Sequence, residues 1–98
     1  MTIEKKKDGN KLTFKVAGRL DTTYAPEMEK AVKENISGVE EFVIDMEKLE
    51  YISSAGLRVL LLAQKAMNGQ GSMKVINVSE TIMEIFEITG FDGIITIG

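Results

Sequence analysis

Leu12, Phe14 and Val16 alternate with Thr13, Lys15 and Ala17. A period of two is that of a strand with one face buried. Just before it, Asp8-Gly9-Asn10 has the composition of a tight turn, which makes Thr2–Lys6 the partner strand of a hairpin. After Gly18 comes the polar stretch Arg19-Leu20-Asp21-Thr22-Thr23, expected as a loop. Thr22 or Thr23 suits a helix cap, and Pro26 fits the first turn that follows. Met28, Ala31, Val32 and Ile36 recur at helical spacing and predict a helix over 25–36, with Gly38 closing it. Phe42-Val43-Ile44 is a continuous apolar run, as expected of a strand over 41–45 that is buried on both faces.

Helical spacing returns from Ala55 to Asn68. Leu57, Leu60, Leu61 and Gln64 share one face, with Arg58, Lys65 and Asn68 on a polar stripe. Such a helix, apolar over most of its girth, belongs between a sheet and a neighbouring helix. Gly69-Gln70-Gly71 stops it, and Met73–Ile76 reads as a strand. Ser79 is placed to cap a helix over 79–89 carrying Ile82, Ile85 and Phe86, with Gly90 at its end. Ile94–Ile97 is the last expected strand. The order β-β-α-β-α-β-α-β predicts an α/β fold, a mixed, mostly parallel sheet of about five strands packed against helices. At 98 residues, with no repeat, linker or low-complexity segment, the expectation is one domain over 1–98.

Composition narrows the chemistry. The chain has neither cysteine nor histidine. That removes disulfides, the common zinc sites and every Ser-His or Cys-His catalytic arrangement. Two lone carboxylates, Asp21 and Asp45, do not make a metal site, and no cofactor is implied. The net charge of −3 argues against direct nucleic-acid binding, and the short Lys5-Lys6-Lys7 run, followed by Asp8, reads as a solvated edge. The N-terminal residues lack the apolar region of a signal peptide, and the longest apolar run, Val59–Ala63, is too short to cross a bilayer. A soluble, cytoplasmic protein with no membrane partner is expected.

The remaining candidate chemistry is the pair Ser53-Ser54, after Tyr51-Ile52 and before Ala55 and Gly56. In a parallel sheet, functional groups gather where strand ends feed helix N-termini. One reading is plain capping of the helix that starts at Ala55. Another uses the same geometry: a phosphoryl group on a serine there is favoured by the helix dipole, Ala55 and Gly56 leave the approach open, and Arg58 lies one turn in. A nucleophilic enzyme is the third reading; it needs a lysine beside the serine, and Lys48 and Lys65 are the candidates in sequence. Asp21 and Asp45 each follow an apolar strand or its loop, so both are candidates to lie near the serines, or to serve only as caps.

Four blocks carry a family resemblance: GRLD at 18–21, DMEKLEYISSAGLRVLL at 45–61, GSMKVINV at 71–78 and IFEITGFDGIITI at 85–97. In this order they resemble the STAS domain, and more closely the stand-alone bacterial anti-sigma factor antagonists, the anti-anti-sigma factors. The resemblance implies a regulatory binding protein and not an enzyme. Its partner would be an anti-sigma factor with serine kinase activity, built on the histidine-kinase ATPase fold, and a serine phosphatase would reverse the modification. It places the phosphorylated serine at Ser54, with Ser53 as the alternative. It also places partner contacts at Asp21, Thr22, Thr23, Ser53, Ser54, Ala55, Gly56, Leu57 and Arg58. Two positions depart from the family pattern: Ser53 stands where an Asp is usual, and Ala55 where a second serine is common. The alternative that the resemblance leaves is a STAS scaffold or accessory subunit, of a stressosome or transport complex, in which the serines only cap the helix and there is no phosphoswitch.

Overall fold

The computed structural model describes all 98 residues. Strands β1 (Thr2–Asp8) and β2 (Lys11–Leu20) form the hairpin. Helix α1 (Ala25–Asn35), strand β3 (Glu41–Ile52), helix α2 (Ser54–Asn68), strand β4 (Ser72–Ile76) and helix α3 (Glu80–Thr89) follow. The sheet order is β1-β2-β3-β4; β1 is antiparallel to β2, while β2, β3 and β4 are parallel. Because the parallel strands are in sequential order, each crossover steps the same way. The right-handed rule then sends every connecting helix to one face. One core of 24 buried residues results, built from Leu12, Phe14 and Val16 of β2, Phe42 and Ile44 of β3, and the inner faces of the three helices. The other face is polar. Glu4, Lys15 and Asp45 are cross-strand neighbours on it.

The sheet has four strands where about five were expected. Ile94–Ile97 does not form a fifth; a short 3-10 turn, Phe91–Gly93, precedes it, and only Ile97 bridges to Val75 of β4, in parallel. Two further expectations change. β3 runs on to Ile52 instead of stopping at Asp45, and Arg19-Leu20 belong to β2 and not to a loop. Both follow from two register shifts in the β2–β3 pairing, between Lys15 and Ala17 and between Gly18 and Arg19. Each shift puts an extra residue into β3: Lys15 and Ala17 face Asp45 and Lys48, and Gly18 and Arg19 face Leu49 and Tyr51. Bulges of this kind keep a strand going while rotating its faces. The buried positions of β3 therefore pass from Phe42, Ile44 and Met46 to Leu49 and Ile52, a spacing of three. Gly18 permits the second shift through its positive φ of 93°.

Helix α2 packs on α1, β3 and β4. Leu57, Leu60 and Gln64 are buried as expected, together with Val59, Ala63 and Met67, but Leu61 is only half-buried. Gln64 gives its amide to Asn68 Oδ1 at 2.9 Å. Ser79 caps α3 by accepting from Ile82 N at 3.2 Å, and Gly90 ends that helix with a left-handed φ of 78°.

Candidate functional site

The two bulges bring the ends of β2 and β3 level, Arg19 beside Tyr51 and Leu20 beside Ile52. The chain then leaves the sheet at two adjacent points, Asp21 and Ser53. Ser53 N still donates to Leu20 O at 2.9 Å, so the two exits are tied together.

Ser53 is the N-cap of α2. Its backbone is extended, with φ −94° and ψ 175°. Its Oγ accepts from Gly56 N at 3.3 Å, and its carbonyl accepts from Leu57 N at 2.9 Å. The hydroxyl is thus engaged and half-buried. Ser54 is the first helical residue, so the helix starts one position earlier than expected. Its side chain is exposed and makes no hydrogen bond within the protein. α2 has no acidic residue in its first turn, whereas α1 and α3 have Glu27 and Glu80 there. The partial positive charge at the start of α2 is therefore not offset by its own side chains. Replacing Ser53 by Ala removes the cap and is expected to cost about 1 kcal/mol of stability. Chemical denaturation measures it, and an unchanged midpoint would show that Oγ contributes nothing.

Asp21 organises the other exit. Its Oδ1 accepts from Thr23 N at 3.1 Å and Tyr24 N at 3.2 Å, and its carbonyl accepts from Tyr24 N and Ala25 N. The cap expected of Thr22 or Thr23 does not form: their side chains make no hydrogen bond and are exposed, and α1 begins at Ala25 with no side-chain cap, the Asp21 carboxylate closing the turn before it instead. Arg19 joins the exits from the polar face of the sheet. Its guanidinium carbon lies 4.5 Å from the centroid of the Tyr51 ring, a cation–π arrangement. Its Nε is 3.9 Å from Asp21 Oδ2, long and partly exposed, and so a weak tether.

The family model described as "STAS domain" matches residues 2–98. The chain belongs to the STAS domain family. Among its relatives is the anti-sigma-B factor antagonist of Listeria monocytogenes, 31% identical over 97 residues, which span 95% of this chain and 83% of that protein. The anti-sigma-B factor antagonist of Bacillus subtilis is 29% identical over 98 residues, 99% of this chain and 90% of its own. Among solved structures, the Bacillus cell fate determinant SpoIIAA in its phosphorylated form shares the fold at a TM-score of 0.77 and 16% identity, covering 99% of this chain and 91% of that one.

Within this STAS domain the structure brings Asp21, Thr22, Thr23, Ser53, Ser54, Ala55 and Arg58 to one end of the sheet, all exposed or half-buried. Gly56 and Leu57, expected on the same surface, face inward. A Cβ on Gly56 would come within 2.7 Å of Leu20 O and 2.8 Å of Ile52 Cγ1, so this glycine lets α2 sit against the strand ends and does not open an approach to the serines. Leu57 is 4% exposed and belongs to the core. Asp45 lies elsewhere. It is mid-strand, eight residues before Ser53, which at about 3.3 Å per residue is roughly 25 Å away. There its Oδ1 accepts from Glu47 N and from Asn77 Nδ2. Neither lysine considered for a Ser-Lys pair bonds a serine: Lys48 sits opposite Ala17 in the sheet, and Lys65 is about three turns along α2. Sequence reasoning missed Arg19, Tyr51 and the exposed Tyr24. One signal was available: Arg19-Leu20-Asp21 and Tyr51-Ile52-Ser53 share a polar–apolar–capping pattern, as two parallel strands ending side by side would. No helix is long and apolar enough to cross a membrane.

Proposed function

We propose that this chain is a phosphorylation-controlled anti-sigma factor antagonist of the bacterial cytoplasm. In its unphosphorylated form it binds a cognate anti-sigma factor through the surface formed by Asp21–Thr23, Ser53–Ala55 and Arg58, and the sigma factor is freed. The same partner, acting as a serine kinase, modifies Ser54. The γ-phosphoryl group of ATP is transferred to Ser54 Oγ, forming the P–O bond as the β–γ bridge breaks; ADP and the hydroxyl proton leave. Binding then fails, and a serine phosphatase restores it by hydrolysis.

The observation that carries this reading is the contrast between the two hydroxyls. Ser54 Oγ is exposed and unbonded at the first turn of α2, while Ser53 Oγ is held by Gly56 N. A kinase reaching this turn finds one free nucleophile. The family's relatives named as anti-sigma factor antagonists support the partner class. A phosphate here adds about −1.5 to −2 charges and three acceptor oxygens to a site where a helix N-terminus accommodates them. The fold has no need to move; a partner surface shaped over a neutral hydroxyl meets desolvation and repulsion instead. The chain acts as a binding protein and not as an enzyme, consistent with two serines that lack an adjacent base.

The test uses the chain as bait in extract of its source bacterium, with mass spectrometry of both the bait and what it retains. Phosphate is expected on Ser54 of the wild type. Ser54→Ala should retain the anti-sigma partner and accept none. Phosphate on Ser53 alone would refute the site, and a bait that is never phosphorylated would return the scaffold reading.

A further inference from the structure

We infer that Arg58 is the intramolecular partner of phosphorylated Ser54, its guanidinium clamping the phosphoryl group from one helical turn away. The inference rests on the phosphorylation reading above. Ser54 is the first residue of α2 and Arg58 the fifth, and both are exposed. Residues at i and i+4 share a face, with Cβ atoms about 5–6 Å apart. Helix side chains lean toward the N-terminus, so a long side chain at position 58 covers the turn that holds Ser54.

Arg58 is also uncommitted. The ion pairs of the protein are Arg19–Asp21 and Lys33–Glu29, and Arg58 is in neither. No Asp or Glu occurs anywhere along α2, so its own helix offers no competing carboxylate. Arg19, the other cation at this end of the sheet, is already stacked on Tyr51 and tethered to Asp21. A planar guanidinium fork suits two phosphate oxygens at once, which an ammonium does not. Capture of Arg58 gives the modification two effects. It fixes the phosphate against the helix, and it withdraws a free cation from the docking surface. The local charge passes from about +1 to about −1.

The test needs no kinase. Phosphoserine is placed at position 54 of the full chain by codon suppression, and the second ionisation of the phosphate is followed by phosphorus NMR as a function of pH. The helix N-terminus is common to all variants, so differences isolate the side chain. Arg58→Gln is expected to raise that pKa by about 0.3 unit, since an arginine stabilises the dianion. Arg58→Lys should recover part of the loss, and Arg19→Gln should leave the value in place. The Arg58 effect should shrink at 1 M salt, where screening is strong. An unchanged pKa in Arg58→Gln, or a larger rise in Arg19→Gln, overturns the inference. Arg58 is exposed, so these variants should keep the melting transition of the parent. The outcome is independent of the bait experiment: phosphate absent from Ser54 in the bacterium rejects the switch, whereas an unmoved pKa rejects only the clamp.

Discussion

Leu60→Ala is expected to lower the stability of the protein by about 2–5 kcal/mol. Leu60 is 0% exposed, midway along α2, the helix that packs on α1, β3 and β4. Truncation there removes the transfer energy of three carbon atoms and leaves a cavity that the strands, held by their ladder, cannot close. A small domain has about 5–15 kcal/mol in total, so a large part of the margin is lost. Urea denaturation reads the effect as a lower midpoint with an unchanged slope. The half-buried Leu61 is the internal comparison: its truncation should cost clearly less. Equal losses at the two positions would mean that the inward face of α2 is misassigned.

Ser54→Asp is expected to weaken binding of the anti-sigma partner by about 1–3 kcal/mol, the scale of one desolvated or repelled charge. That is about 5- to 150-fold in Kd. Folding should not suffer. An acid in the first turn of a helix is mildly favourable, and α2 alone among the three helices has none. Lost affinity with an intact or slightly raised melting temperature is therefore the signature, measured by calorimetric titration of the partner recovered with the bait. Ser54→Ala adds no charge and should bind as the wild type does. Wild-type affinity in Ser54→Asp would remove the electrostatic basis of the switch. A fall in affinity accompanied by a fall in stability would instead make Ser54 a structural residue.

Much of this molecule was legible before folding. Alternation at Leu12, Phe14 and Val16 reports a strand with one wet face, and the 3.6-residue spacing in α1, α2 and α3 reports helices against one core. Local chemistry marked both serine caps, because a hydroxyl that bonds an N–H three residues on is a relation between neighbours in sequence. The start of the helix was read one residue late, at Ala55, whereas Ser54 is its first residue, directly after the Ser53 cap. What depended on other strands was not legible. Met46, Leu49 and Ile52 are spaced by three, which reads as no strand at all; only the pairing with β2, with its two bulges, makes β3 continue to Ile52. For the same reason Arg19-Leu20 looked like loop and Ile94–Ile97 like a full strand, when one paired and the other bridged β4 at a single residue. Asp21 and Asp45 had the same standing in sequence, and tertiary structure separated them: Asp21 stands at the strand ends beside Ser53, while Asp45 sits in mid-sheet with Asn77. Gly56 shows the division most clearly. The sequence marks it as small, but its burial against Leu20 O is a contact between segments about 36 residues apart. Local patterns are set by bonds and periods within one segment, whereas strand register and close approach are set by what the rest of the chain places opposite.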